Sequence, residues 1–547
     1  MHIPTLLRTA SIVLLGSSLI ASGADIQWTG ATNNNWLDAG NWSPSGVPND
    51  QNARLVFDSS GKNPVIDFAH TGAASATYRY GGFAVSSPYV FNLSGVSAAN
   101  QLILELGGDG ITAPGTLFGN PTINVDAHAV FKVTGNAQLA NASISLKANG
   151  TFDISDHTGE VAINTISGPS SSAINLGANT LVLGGDNLNA LNLQSRITGT
   201  EGGGITKVGS GLVMLNNSNN SYTGATIVKS GSLAINGTQG SLGVENRIEA
   251  NATLFATGTL RGTLINHGVL NANAVSSSSG INTALRIEGN YIQKAGATWM
   301  LDIQTSAAGA ATRDAITIVG ATTTATFEPG SIVAVTPLGS ATLSFIFRPH
   351  DFGTVLTTTG GIVGLENVEL TFPSVSLRPE LIQTGNTAKL VLNQLSFATL
   401  PGLSENQAAI GAFIDAAYAA APQYLGNNVV VPENTVAAMV YSLNAQPNLD
   451  LLGQAINQFS PQTYQVWFPA AILQAGSIAQ AVDNRIQAPR PGAKKDRHLD
   501  VFASVSRRSS LMQQDLDLPH AEANSSTFLA GVDYHFPSGT TLGALLA

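Results

Sequence analysis

Between Leu499 and Ala547 apolar and polar side chains alternate, and this restricts the fold of the chain more than any other feature. Leu499, Val501, Ala503 and Val505 alternate with Asp500, Ser504 and Ser506. Phe528, Ala530, Val532, Tyr534 and Phe536 alternate with residues that include Asp533 and His535, and Thr541–Ala547 reads as the start of a third strand. A period of two over such lengths is the signature of strands with one face toward hydrocarbon. A closed transmembrane barrel needs at least about eight strands, because an open backbone edge in lipid leaves N–H and C=O groups without partners. Three strands do not close one. The expectation is therefore an incomplete antiparallel barrel at residues 496–547, belonging to a fragment of a longer product, to a disrupted gene, or to a chain completed by another polypeptide.

The opposite end carries an export pattern. Arg8 supplies a positive charge, Ile12 to Ile20 an apolar core, and Ser22-Gly23-Ala24 small residues for cleavage, which reads as a secretory signal peptide over residues 1–24. No later apolar run reaches the roughly 18 residues of a helical span. Export without helical anchors, followed by barrel-like strands, points to a Gram-negative envelope.

Composition limits how the rest can be stabilised. Charged residues are 11% of the 547, well below the roughly 25% of ordinary soluble domains, so Ser, Thr and Asn must supply the polar surface. With no cysteine in an exported chain, stacked hydrogen bonds and apolar ladders replace a disulfide framework. A net charge of -10 argues against nucleic acid as a partner, since phosphates would be repelled.

From about Asp25 to Gln394 short β-rich runs are separated by Gly, Asn and Ser. A turn residue, a small or hydroxyl residue and an alternating apolar strand recur as Asn149–Ile154, Asn179–Leu183, Gly231–Ile235 and Gly296–Leu301. Coils of about 20 residues or more that stack equivalent strands fill one continuous core in this way, so a parallel β-helix is expected, with Leu212, Leu215, Ile227, Leu233 and Leu254 inward. A series of β-sandwiches is the second reading, but 6% aromatic residues is sparse for their separate cores.

Two consecutive stretches carry a family resemblance. Gly204–Leu215 (GITKVGSGLVML) and Asn219–Leu233 (NNSYTGATIVKSGSL) closely resemble the autotransporter-associated β-strand repeat, with Gly209, Gly211, Gly224 and Gly231 as its turn glycines. Leu285–Ile303, with Gly289-Asn290-Tyr291, and Arg313-Asp314 leading into Ile316 and Ile318, look like the last rungs of autotransporter passengers. The resemblance implies a mainly β protein of type V secretion: a right-handed parallel β-helix passenger over 100–400, a helical linker over 401–495 and the translocator strands. It implies the outer membrane and its barrel-assembly machinery as partners, with the outer membrane or cell surface as location, or the periplasm for a chain truncated at 547.

Residues 25–99 form a tryptophan-rich module, with Trp28, Trp36 and Trp42 among Asn and Asp. Such tryptophans stack on sugars or cover the open end of a solenoid, and the cap is the favoured reading. Past Gln394 the period becomes helical. Ser404 and Gln407 are spaced as a capping box ahead of Ile410, Phe413, Ile414 and Ala417. Further stripes are Val436, Met439, Val440, Leu443 and Leu449, Leu452, Ala455, Ile456. Ser460-Pro461 starts another helix, Ala470–Ile486 suits either a polar pore or a bundle, and Lys494, Lys495 and Arg497 suit a solvated hinge.

Catalytic patterns are missing. There is no G-x-S-x-G, P-loop or H-E-x-x-H. Asp153, Asp156, His157 and Glu160 are the best metal candidates, although a hydrated loop explains them more simply. Gly107-Gly108-Asp109-Gly110 reads as a turn, and Asp483-Asn484 lacks the asparagine pair of self-cleaving relatives. No catalytic, cofactor or metal residue is assigned. The expected function is non-enzymatic: an adhesive or structural surface protein whose ligand is a surface glycan or a host surface. A carbohydrate-active β-helix enzyme resembling a polysaccharide lyase is the alternative.

Overall fold

Eight residues mark how the chain stacks. Leu191, Val213, Leu233, Leu254, Leu270, Trp299, Val333 and Leu370 are partners in successive parallel strands and form one apolar column. Tyr78, Leu104, Phe131, Phe152, Ile174 and Ile197 form a second column. Ile66, Phe91, Ile123, Ile144 and Ile166 form a third. Side chains of equal register repeat at the spacing between strands, about 4.8 Å, so like rests on like and the columns enclose one core. Phe131 and Phe152 stack with centroids 5.9 Å apart.

This is a computed structural model. It describes residues 25–546 apart from 49–52, 59–60, 63, 86–88, 108–116, 119–120, 185–190, 201, 274–283, 306–310, 339–348, 422–434, 461–474, 477, 481, 485–486, 488–496, 513–520 and 539. The expected signal peptide, Trp467 and Lys494-Lys495 lie outside these residues.

The protein is mainly β, and its large sheets of 13 and 14 strands are built chiefly from parallel pairs, as a β-helix requires. Among the described residues parallel pairing is present from Asp25–Trp28, which lies beside Arg54–Phe57, so the ladder extends below the expected start near residue 100. It ends in an antiparallel hairpin, Leu377–Thr384 with Thr387–Gln394.

The repeat stretch forms the strands Gly204–Lys207, Leu212–Leu215, Thr226–Val228 and Gly231–Gln239. Leu215, Leu233 and Leu254 are buried as expected. Leu212 and Ile227 are only half-buried, and Val213 and Val228 face the core instead. Residues 212 and 215 are three apart, so an unbroken strand sends them to opposite faces. Gly231 sits at φ 66°, and a Cβ there would lie 2.4 Å from the Gly209 carbonyl oxygen, so the coils meet through glycine backbone.

Helices α1 (Glu405–Ala420), α2 (Val436–Asn444) and α3 (Leu449–Asn457) follow among the described residues, with shorter helical stretches between 475 and 487. The capping box is present: Gln407 N–H donates to Ser404 Oγ at 3.3 Å and Ser404 N–H to Gln407 Oε1 at 3.0 Å. Ile414, Val440, Leu443, Leu452 and Ile456 are buried in one cluster with Phe397. Phe413 is 74% exposed, contrary to the expected face. The phase of α1 is set by Asp415, which accepts from Ser396 Oγ and from the N–H groups of Phe397 and Ala398, and by Gly411 lying against Phe397. No helix among the described residues is long and apolar enough to cross a membrane.

His498–Met512, Ala521–His535 and Thr541–Leu546 form a separate three-stranded antiparallel sheet. Leu499, Val501, Val505, Phe528, Val532, Leu542 and Leu546 are exposed along it.

Candidate functional site

An amide ladder crosses the outer face of the first parallel coils. Asp67, Asn92 and Asn124 occupy equal register in the strands Val65–Ala69, Val90–Ser94 and Thr122–Val125. They alternate with inward Ile66, Phe68, Phe91, Leu93, Ile123 and Val125, so burying one face fixes the ladder on the other. Asn124 Nδ2 donates to Asn92 Oδ1 at 2.8 Å, and Asn92 Nδ2 donates to Asp67 Oδ1 at 2.7 Å. Asn34 Nδ2 donates to the other carboxylate oxygen of Asp67. Each amide therefore keeps a fixed orientation with its remaining hydrogen-bonding capacity toward solvent.

Beside this row lie Ala69, Ser94, Asp126 and Lys147, and together the two rows line an open groove of about 510 Å³. Donors and acceptors recur at the coil spacing of about 4.8 Å. Such a surface suits an extended ligand bearing many hydroxyls, which meets the same polar pattern coil after coil. A similar ladder runs on another face: Asn216 Nδ2 to Asn192 Oδ1 at 2.8 Å, Asn236 Nδ2 to Asn216 Oδ1 at 2.6 Å, and Thr257 Oγ1 to Asn236 Oδ1 at 2.6 Å. Sequence reading did not single out either ladder. The available signal was an Asn or Asp at one phase of consecutive strands (VIDFA, VFNLS, TINV), visible once register is known.

The tryptophans take no part in a surface. Trp28, Trp36 and Trp42 are 0%, 0% and 3% exposed, which leaves no ring face for a sugar. Trp36 stacks on Phe68 with centroids 4.8 Å apart, and Trp42 Nε1 donates to the Trp36 carbonyl at 2.8 Å.

The acidic cluster is dispersed. Asp153 accepts from Ser155 N–H at 2.8 Å, Asp156 pairs with Lys132, and Glu160 opens an exposed strand end. His157 is buried with Nε2 2.9 Å from the Ala137 carbonyl, and burial pushes its pKa down. Gly107 ends the strand Leu102–Leu106, while Gly108, Asp109 and Gly110 lie outside the described residues. Asp483 accepts from Gln487 Nε2 at 3.1 Å on an exposed helical segment. Arg497 is exposed.

One group of potential metal ligands occurs among the described residues: His498, Asp500 and His535, with one ligand atom of each within 4.8 Å of the others. No protein-family profile matches the chain, and no curated protein is significantly similar to it.

Proposed function

We propose that the chain is an autotransporter-type surface protein whose right-handed parallel β-helix is exported with the help of C-terminal translocator strands and binds a surface glycan without turning it over. The observation that carries the binding role is the ordered ladder Asn124, Asn92, Asp67, flanked by Asp126 and Lys147 on one open groove. The export role is supported by the alternating strands at the C-terminus, whose apolar side chains Leu499, Val501, Val505, Phe528, Leu542 and Leu546 are exposed as lipid-facing residues are. On this reading residues 1–24 are a cleaved signal peptide, 401–495 link passenger to translocator, and the outer membrane and its barrel-assembly machinery are the partners.

The test is retention of the purified chain on immobilised polysaccharides. The parent is retained by at least one glycan, Asn92→Leu is not, and Asn216→Leu on the other ladder behaves as the parent. Equal retention of parent and Asn92→Leu removes the groove from the proposal. Release of shortened or unsaturated sugars by the parent replaces binding with catalysis.

A further inference from the structure

We propose that His498, Asp500 and His535 form a binding site for a divalent first-row transition cation, with Zn²⁺ the ion that suits the donors best. The site stands apart from the ladder groove and rests on geometry alone. Strand alternation puts His498 and Asp500 on one face, and register pairs His498 with His535 and His535 with Thr541. A row across three strands results, with the two imidazoles face to face, centroids 4.4 Å apart and planes 23° apart.

The three donors lie within 4.8 Å of one another. Asp500 Oδ2 lies 3.2 Å from His535 Nε2 and 3.9 Å from His498 Nε2. Zinc bonds of 2.0–2.1 Å give tetrahedral ligand edges of about 3.3 Å. The Asp500–His535 edge already has that length, and the Asp500–His498 edge must shorten by about 0.6 Å on binding. His535 is 9% exposed and fixed from behind, its Nδ1 2.7 Å from Thr541 Oγ1. With Nδ1–H donating to that hydroxyl, Nε2 presents its lone pair toward Asp500, the outer-shell arrangement that orients histidine ligands. A cation at the point between Nε2 and the carboxylate is held by both and recruits His498. Two imidazoles and one carboxylate favour zinc, copper or nickel over magnesium or calcium, and the exposed side leaves room for water as the fourth ligand.

The experiment titrates the full chain with Zn²⁺ in competition with a chromophoric chelator, and with Co²⁺ to read coordination by its visible absorption. One equivalent bound, a tetrahedral Co²⁺ spectrum, and affinity lowered at least about tenfold in His535→Ala and in His498→Ala support the site. His70→Ala and His267→Ala, histidines elsewhere in the chain, leave binding unchanged. Binding that persists in both site variants, or that is absent in the parent, overturns the proposal. Should His535→Ala fail to fold, exposed His498→Ala decides by itself, with circular dichroism verifying its fold.

Discussion

Gln394 and Asn444 exchange two amide hydrogen bonds, Asn444 Nδ2 to Gln394 Oε1 at 2.7 Å and Gln394 Nε2 to Asn444 Oδ1 at 3.0 Å. The pair fastens α2 to Thr387–Gln394, the last strand of the antiparallel hairpin that ends the stack, and Ser376 Oγ adds a third bond to Asn444 Oδ1 at 2.6 Å. Asn444 is fully buried. A specific polar contact therefore holds α2 against the terminal hairpin of the sheets.

Asn444→Leu leaves the Gln394 amide and the Ser376 hydroxyl with lost partners, at a cost of about 2 kcal/mol. The effect is local: limited proteolysis should cut the segment after Gln394 several-fold faster than in the parent, while the melting of the solenoid changes little. Equal cleavage rates would show that apolar packing around Phe397 holds the helices unaided.

Replacing Leu233 by Asp places a charge between Val213 and Leu254 in the first column, with an expected loss of roughly 3 kcal/mol or more. Leu212→Asp, one coil earlier on a half-buried outward position, should cost less than about 1 kcal/mol. Urea denaturation of the two variants checks the facing of the strand directly, since the opposite order would mean the opposite face is inward.

Lys207 is buried in the strand Gly204–Lys207, with its ammonium donating to the carbonyls of Val208, Gly209 and Ser230. Burial pushes its pKa down to about 8. The unfolded lysine titrates near 10.4, so between about pH 8 and 10.4 the unfolded chain holds a proton that the folded chain has released. Stability from this group accordingly rises with pH across that window, by roughly 3 kcal/mol in total, and its charging penalty is fully present below pH 8. In Lys207→Met the rise from pH 8 to 9.5 should disappear from the denaturation curves. A parallel pH dependence in parent and variant would refute the assignment.

Trp28, Trp36, Trp42 and Trp299 are all buried. In a Trp467→Phe background, tryptophan emission should be blue-shifted and resistant to iodide quenching, and glycans that bind should leave it unchanged. Trp36→Ala should cost about 3–5 kcal/mol through its stacked and edge contacts with Phe68 and Trp42. Sugar-dependent quenching would return the tryptophans to the binding surface.

The sequence by itself determined the kinds of element and where their character changes. Period-two runs gave strands, the Ser404 and Gln407 spacing gave the start of α1, and the repeated turn-and-strand unit called for stacked coils. These signals are local, because backbone geometry dictates side-chain period and capping within a few residues. Facing, partnership and site were decided by tertiary structure. Leu212-Val213-Met214-Leu215 is apolar at every position, so either phase fits until pairing with Leu191–Leu193 and Gly231–Gln239 selects Val213 and Leu215. Phe413 satisfied the helical period and still faces solvent, since Asp415 and Gly411 set the docking angle. The cross-strand contacts of the amide ladder and of the His498–Asp500–His535 group join residues 25 to 37 positions apart, and only strand register carries information over that distance. Its physical source is the simultaneous satisfaction of backbone hydrogen bonds and apolar columns in neighbouring coils, which no single strand contains.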